Sequence, residues 1–347
     1  MSNTRHYSLR VVERVQETHD SCSLRFEVPP DLRERFAYRP GQFLTLRLPV
    51  RGRHLPRCYS MSSAPTLDEG LRITVKRVAQ GRGSNWICDN LQVGDSLEVM
   101  PPAGVFTPDS LQGDFLLWAG GSGVTPALSI LRSVLAHGQG RIRLVYANRD
   151  ERSVIFRDVL RELALAHPAR LQVIHWLDSV QGVPSVAQLR ELARSFEHAT
   201  AFVCGPGPFM DAVVSALEHA GVDESHVHVE RFVSLPDEED REAIRAAADE
   251  PAAAVESALV AMELDGEIHE FSCAGDETIL DAALRAGLAP PHSCQAGMCA
   301  SCMCQVTEGE VRLRHNEVLD DKDLAKAWTL SCQAVPLSPT LRVRFPG

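Results

Sequence analysis

Four cysteines near the C-terminus have the types and spacing for redox metal chemistry. Cys294, Cys299 and Cys302 run in the order C-x4-C-x2-C, and Cys332 follows after a gap of 29 residues, 303–331. That spacing predicts a 2Fe-2S cluster held by four thiolates, three from one tight loop and the fourth from a distant strand or turn. Gly297 and the small Ala296, Ala300 and Ser301 suit such a loop, because glycine takes positive φ and small side chains allow close backbone approach. Zinc would favour two short cysteine pairs. Cys304, two residues past a ligand, reads as a buried bystander, as do Cys22, Cys58, Cys88 and Cys273. His292 reads as solvent-facing or a local hydrogen bonder, since a Rieske site needs two histidines at paired spacing.

A second constellation is Ala119-Gly-Gly-Ser-Gly-Val-Thr-Pro126, set between an apolar run and a helical pattern. Gly120, Gly121 and Gly123 would let backbone approach a pyrophosphate, and the helix N-terminus offers unpaired N–H groups and a positive dipole end. Thr125 is expected to cap that helix, with Pro126 in its first turn. Leu128, Leu131, Val134 and Leu135 recur at helical spacing and would pack it on a sheet. Farther on, Cys204-Gly205-Pro206 ends the apolar run Phe202–Cys204, at the edge of a parallel sheet where ligands bind. Cys204 either leaves room for a flat nicotinamide ring or is simply a buried small residue.

A third group lies in the N-terminal third. In Arg57-Cys-Tyr-Ser60, Tyr59 can lie against a ring system, Ser60 can hydrogen-bond a ring nitrogen, and Arg57 can pair with phosphate bidentately. Gly81-Arg-Gly-Ser84-Asn85 offers backbone and hydroxyl donors for a diphosphate. Singly, each is unremarkable.

The elements that must position these groups fall into three segments, as 347 residues suggest. Residues 1–110 hold short alternating runs such as 43–48 and 71–76, punctuated by glycine and proline, which predicts an antiparallel β-barrel. Residues 111–232 alternate apolar strands (115–119, 142–147, 171–177, 201–204) with helical patterns (127–137, 154–166, 186–195, 208–220), which predicts a doubly wound parallel α/β sheet. Residues 233–257, Ala-rich and acidic, read as a tether. Residues 258–347 form the cysteine-bearing segment, with strands near 259–263 and 267–271 and a helix at 279–286.

Charge narrows the partners. The net charge of −11 is carried after residue 232: the tether holds 2 basic against 8 acidic residues and the last segment 7 against 13. An acidic face would steer a basic docking surface and argues against nucleic acid. No apolar run approaches bilayer-spanning length and the first ten residues are polar, so neither membrane insertion nor a secretory signal is expected. A reducing, cytoplasmic setting suits the ten cysteines.

In order along the chain, Arg57-x-Tyr59-Ser60, Gly81-x-x-Ser84, Gly120-Gly-x-Gly123-x-Thr-Pro126, Cys204-Gly-Pro206 and Glu230-Arg-Phe232 resemble the ferredoxin-NADP⁺ reductase superfamily. From about Ala258 the chain resembles plant-type ferredoxins of β-grasp, α+β fold, with Ala300 standing where many such loops have glycine. The whole is similar to reductase components of multicomponent oxygenases. The resemblance implies FAD (FMN occurs in some members), a 2Fe-2S cluster and NADH or NADPH as cofactors. It assigns Ser60 to the flavin N5, Cys204 to positioning the nicotinamide, and Glu230 to the polar side of the hydride-transfer site. Arg57, Tyr59, Ser84 and Asn85 would hold flavin and phosphates, and Phe232 would shield the flavin face. It implies a Rieske-type or di-iron terminal oxygenase as electron acceptor. The alternatives are a stand-alone reductase of a soluble carrier or quinone, and an electron carrier with degenerate nucleotide sites. In the run 148–153, Arg149 and Arg152 would accept a 2′-phosphate whereas Asp150 and Glu151 would repel one, and the balance leans to NADH.

Overall fold

The computed structural model describes residues 6–232, 254–292, 295–319 and 321–345. Cys294 and residues 233–253 of the expected tether lie outside the described residues. The chain divides into two compact units, one of residues 8–55 and 59–232 and the other of residues 1–7, 56–58 and 233–347.

The first unit begins with six strands, β1 (Tyr7–Thr18), β2 (Ser21–Glu27), β3 (Phe43–Val50), β4 (Arg53–Ser60), β5 (Leu71–Lys76) and β6 (Ser96–Val99). They form one sheet in the order β4-β3-β6-β1-β2-β5. Cys22, Leu24 and Phe26 on β2 and Leu44, Leu46 and Leu48 on β3 alternate into a fully buried core, while Ser21, Ser23 and Thr45 are buried on the opposite faces. A bridge between Met61 and Ile73 joins the end of β4 to β5, and the Ser62 N–H donates to the Arg72 carbonyl at 2.8 Å. Those contacts close the sheet into a barrel. The helix α1 (Arg82–Asn90) follows β5.

The same unit continues into a five-stranded sheet of β7 (Phe115–Gly120), β8 (Ile142–Asn148), β9 (Leu171–Leu177), β10 (Thr200–Cys204) and β11 (Val227–Glu230), in the order β11-β10-β7-β8-β9. Every pairing is parallel. Its crossover helices are α2 (Val124–His137), α3 (Arg157–Ala166), α4 (Asp178–Gln181), α5 (Val186–Ala193) and α6 (Gly207–His219). The continuous apolar run of β7 feeds two cores, as a strand buried on both faces must. Phe115, Leu117 and Ala119 face Leu128, Leu131 and Val134 of α2. Leu116 and Trp118 join Leu189 of α5 and Met210 and Val213 of α6 on the other side.

Two helices are shorter than their apolar patterns. The run from Val154 does not open α3, because Phe156 sits at φ +59° and breaks the helical backbone. Val154, Ile155 and Phe156 are buried instead as a packing turn before Arg157. At the end of α5, Arg194 turns to ψ 136° and leaves Ser195 outside the helix.

The second unit holds β12 (Ser257–Leu264), β13 (Glu267–Ala274), α7 (Ile279–Arg285), β14 (Met303–Glu308), β15 (Val311–Leu313), α8 (Asp321–Ala325), β16 (Trp328–Leu330), β17 (Ala334–Pro336) and β18 (Thr340–Arg344). Its main sheet runs β13-β12-β18-β14-β16, with β12 and β18 parallel, and β15 pairs with β17. Thr278 caps α7 by accepting the Asp281 N–H at 3.1 Å. Ile279, Ala282 and Ala283 then pack on Val260, Met262 and Val343. A helix laid across a mixed sheet in this way is a β-grasp. Among the described residues no helix is long and apolar enough to cross a membrane.

Candidate active site and cluster loop

In the parallel sheet β7 lies between β8 and β10, and connections leave it in opposite directions on the two sides. A crevice therefore opens at the carboxyl ends of β7 and β10, the place where doubly wound sheets bind ligands. Both sequence motifs of this half converge there. A Cβ added to Gly123 would strike the Cys204 carbonyl, and one added to Gly120 would sit 2.6 Å from the Pro206 ring. The two turns touch backbone to backbone only because glycine occupies these positions. The structure brings Gly120, Gly121, Gly123, Cys204 and Gly205 together.

Thr125 does not cap α2. The helix starts at Val124 after a 3-10 turn over Gly121–Gly123, and Gly123 at its N-cap makes no side-chain hydrogen bond. Thr125 is already inside the helix, where its hydroxyl donates to the Ser122 carbonyl at 2.9 Å, and Pro126 lies in the first turn as expected. This N-terminus packs beside the Cys204 turn, with the Val124 N–H already bonded to the Gly121 and Ser122 carbonyls.

Across from this crevice stands the end of barrel strand β4. The Ser60 hydroxyl donates to Glu230 Oε2 at 3.3 Å. Parallel register places Glu230 beside Cys204. Burial pushes the Glu230 carboxyl up to about 8, and only the Ser60 hydrogen bond opposes the shift. Burial also raises the Cys204 thiol, and the neighbouring carboxylate raises it further, so it stays a neutral thiol at physiological pH. Ser60, Cys204 and Glu230 thus form one cluster with a proton-holding carboxyl, in keeping with a site that handles a hydride and a proton. Phe232 is exposed at the end of the unit.

The Gly81–Asn85 segment is helical from Arg82, and its two polar side chains are turned to local use. The Ser84 hydroxyl accepts the Val78 N–H at 3.1 Å. The Asn85 amide donates to the Gly81 and Val78 carbonyls, and its oxygen accepts from Arg77. Gly81 opens α1 without a side-chain cap. Arg57 Nη1 donates to the Pro56 carbonyl at 2.7 Å.

Several polar groups of this region carried no sequence signal. The Tyr146 hydroxyl, at the buried end of β8, donates to the Gly121 carbonyl at 3.0 Å and accepts the Ile155 N–H at 3.2 Å. It fixes the left-handed Gly121. Asn148 is buried at the same sheet edge, and neither amide atom has a hydrogen-bond partner among the described residues. Lys76 ends β5 with its ammonium 3.9 Å from Asp20, and burial lowers its pKa. A cation and an orphaned amide beside a glycine turn fit a dinucleotide, which would satisfy both. Only the pairing of barrel and sheet brings Lys76 near Gly121.

In the second unit the described part of the cysteine loop is a tight coil. Gln295, Gly297 and Ala300 all have left-handed backbones, at φ +53°, +71° and +51°. Such turns aim successive N–H groups into one concavity, which suits an anionic centre. Gly297 is required, because a Cβ there would lie 2.5 Å from the His315 carbonyl. Cys299, Cys302 and Cys332 are buried. The Ser331 N–H donates to the Cys302 carbonyl at 3.1 Å, which ties the fourth cysteine's turn to the loop. The Ser331 hydroxyl is buried without a partner among the described residues. Gln333 donates to the Gln295 carbonyl at 3.0 Å and reaches within 3.8 Å of Cys332 Sγ. Among the described residues no group of three or more candidate ligands is gathered around a metal position, and Cys294 lies outside them. The soft thiolate donors and the small-residue coil fit a 2Fe-2S cluster. His292 Nδ1 contacts the Pro290 carbonyl at 2.8 Å as a local hydrogen bonder. Cys304 is wholly buried with its thiol raised by that burial.

These modules together define a nicotinamide-dependent flavin and iron–sulfur reductase. Residues 8–107 match the model of the oxidoreductase FAD-binding domain, 117–215 that of the oxidoreductase NAD-binding domain and 262–337 that of the 2Fe-2S iron-sulfur cluster binding domain. The chain is 50% identical over 344 residues to the 3-ketosteroid-9-alpha-monooxygenase ferredoxin reductase component of Rhodococcus rhodochrous, covering 99% of this chain and 97% of that one. It is 35% identical to a 1,2-phenylacetyl-CoA epoxidase subunit of Escherichia coli strain K12, covering 99% and 98%. Phthalate dioxygenase reductase superposes with a TM-score of 0.59 at 25% identity, over 98% of each chain. The chain belongs to the family of oxygenase reductase components that join FAD-binding, NAD-binding and 2Fe-2S domains.

Proposed function

We propose that this chain takes a hydride from NADH and delivers electrons one at a time to the terminal oxygenase of a 3-ketosteroid-type monooxygenase. FAD supplies the change from two-electron to one-electron transfer, and the 2Fe-2S cluster carries single electrons outward. The carrying observation is 50% identity along nearly the whole chain to a reductase of that name. In this reading Ser60 and Glu230 hold the proton side of the flavin site, and Cys204 and Gly205 leave space for the nicotinamide. Gly120, Gly121 and Gly123 admit its diphosphate. Arg57, Tyr59 and the Gly81–Asn85 turn hold the flavin, Phe232 covers it, and Cys294, Cys299, Cys302 and Cys332 ligate the cluster. The domains are 1–110, 111–232 and 258–347, joined by 233–257, in a cytoplasmic protein.

NADH is favoured over NADPH by the turn after β8. Asp150 is fixed there by accepting the Ser153 N–H at 3.0 Å, and Arg149 is drawn to Asp20 at 3.8 Å. A 2′-phosphate would meet a held carboxylate and an already paired guanidinium. The test is anaerobic titration with NADH and NADPH followed by absorbance, then turnover with a purified 3-ketosteroid monooxygenase oxygenase component. Flavin and cluster bleaching by NADH at lower concentration, and steroid hydroxylation dependent on this chain, are expected. Turnover of ferricyanide or a quinone without coupling to any oxygenase favours the stand-alone reductase instead. The metal spectrum of the coupled oxygenase distinguishes a Rieske cluster from a di-iron centre.

A further inference from the structure

Deep in the barrel, Cys22 Sγ and Cys88 Sγ lie 3.5 Å apart, although 66 residues separate them in sequence. Cys22 is on β2 and Cys88 on α1, and both are buried. The flavin and cluster chemistry uses neither. Arg14 reaches in from β1 and donates to the Cys88 carbonyl at 3.0 Å. The contact is slightly closer than sulfur–sulfur van der Waals packing, and a disulfide requires the two sulfurs to close to about 2.05 Å.

We propose that Cys22 and Cys88 are a peroxide-oxidisable dithiol, closing a disulfide that staples α1 to the barrel sheet. Cys22 sulfur attacks one oxygen of hydrogen peroxide, the O–O bond breaks, and the leaving hydroxide takes up a proton as water. Cys88 sulfur then attacks the sulfenic sulfur of Cys22, forming the S–S bond and releasing the second water. Two thiols lose two electrons and peroxide gains them. Nearby positive charge favours Cys22 as the attacking sulfur. The two sulfurs share a hydrogen bond in which either can be the donor, and the Arg14 and Arg77 guanidiniums favour a thiolate on Cys22, which lowers its pKa against the effect of burial. Cys88 is raised in return, as the proton-holding partner.

The staple has a consequence for the flavin side. The N-terminal turn of α1 carries Gly81 and Ser84, and its Arg77 neighbour is tied to Asp89 of the same helix at 2.6 Å. A covalent link from this helix to β2 closes a long loop and restricts the unfolded barrel. FAD is then released at higher denaturant concentration.

The test treats the full-length holoprotein with hydrogen peroxide, followed by alkylation under denaturing conditions and peptide mass analysis. The expected result is a cross-linked pair of peptides containing Cys22 and Cys88, removed by dithiothreitol. FAD fluorescence in a urea series should show release shifted to higher urea, reversed by dithiothreitol and absent in Cys22→Ser and Cys88→Ala. Recovery of both cysteines as free thiols, or as separate sulfinic acids, overturns the dithiol. A cross-link without any change in FAD release overturns the staple.

Discussion

The Ser60 hydroxyl reaches Glu230 Oε2 at 3.3 Å across 170 residues of sequence. One group ends a barrel strand and the other ends the last strand of the parallel sheet. The hydrogen bond therefore reports on the packing of the two folds and on the protonation of a buried carboxyl at once.

The pH dependence follows from that carboxyl. Glu230 titrates near 8 in the folded chain, above its ordinary value of 4.5. The folded state then holds a proton that the unfolded chain releases between those values, so this group's contribution to stability falls as pH rises from 4.5 through 8. Glu230→Gln should flatten that slope in chemical denaturation and remove an inflection near 8 from the pH profile of flavin reduction. An unchanged inflection in the variant assigns the titration elsewhere.

Ser60→Ala should slow flavin reduction by NADH by about 10²-fold, in line with loss of a positioned hydrogen bond at the reacting centre. Stopped-flow absorbance under anaerobic conditions measures it. Equal rates in both proteins would remove Ser60 from the hydride-transfer site.

Gly123→Ala places a methyl against the Cys204 carbonyl, where backbone and not a flexible side chain must yield. A destabilisation of about 2–3 kcal/mol is expected from this overpacking, with weaker NADH binding as the two turns separate. Calorimetry and NADH titration read the two effects independently.

Cys294→Ser should abolish 2Fe-2S absorbance while leaving NADH-driven reduction of bound FAD intact, and the same holds for Cys299, Cys302 and Cys332. Loss of flavin reduction in a variant that still binds FAD would contradict separable modules.

Ala300 holds a left-handed backbone at φ +51° within the cysteine loop. Ala300→Gly relieves about 1 kcal/mol of that conformation, offset in part by the greater chain entropy of glycine. Slower loss of cluster absorbance on warming is the expected outcome, and faster loss would show that the rigidity of alanine outweighs its strain.

Local grammar made most of the elements readable. The run 115–119 is apolar at every position because β7 is covered on both faces, whereas the polar side of 71–76 is half-buried at Arg72 and Lys76 and buried at Thr74. The misreadings at Thr125 and Val154 share one cause. Both have residue types that suit a helix boundary, yet the backbone boundary was set by neighbours: Tyr146 gripping the Gly121 turn, and Phe156 buried in the core with a left-handed backbone. The polar side chains of Ser84 and Asn85 hydrogen-bond nearby backbone groups.

The ligand spacing of the four cysteines, the glycines of two turns and the order of three modules are written along the chain itself. Spacing and order are covalent facts, and a tight coil of small residues around Cys299 and Cys302 follows from them locally. Tertiary structure alone decided that Glu230 holds its proton beside Ser60, that Gly123 must lack a Cβ because Cys204 lies behind it, and that Cys22 meets Cys88. Each depends on barrel closure or strand register joining residues far apart in the chain, and on the desolvation that only such packing produces.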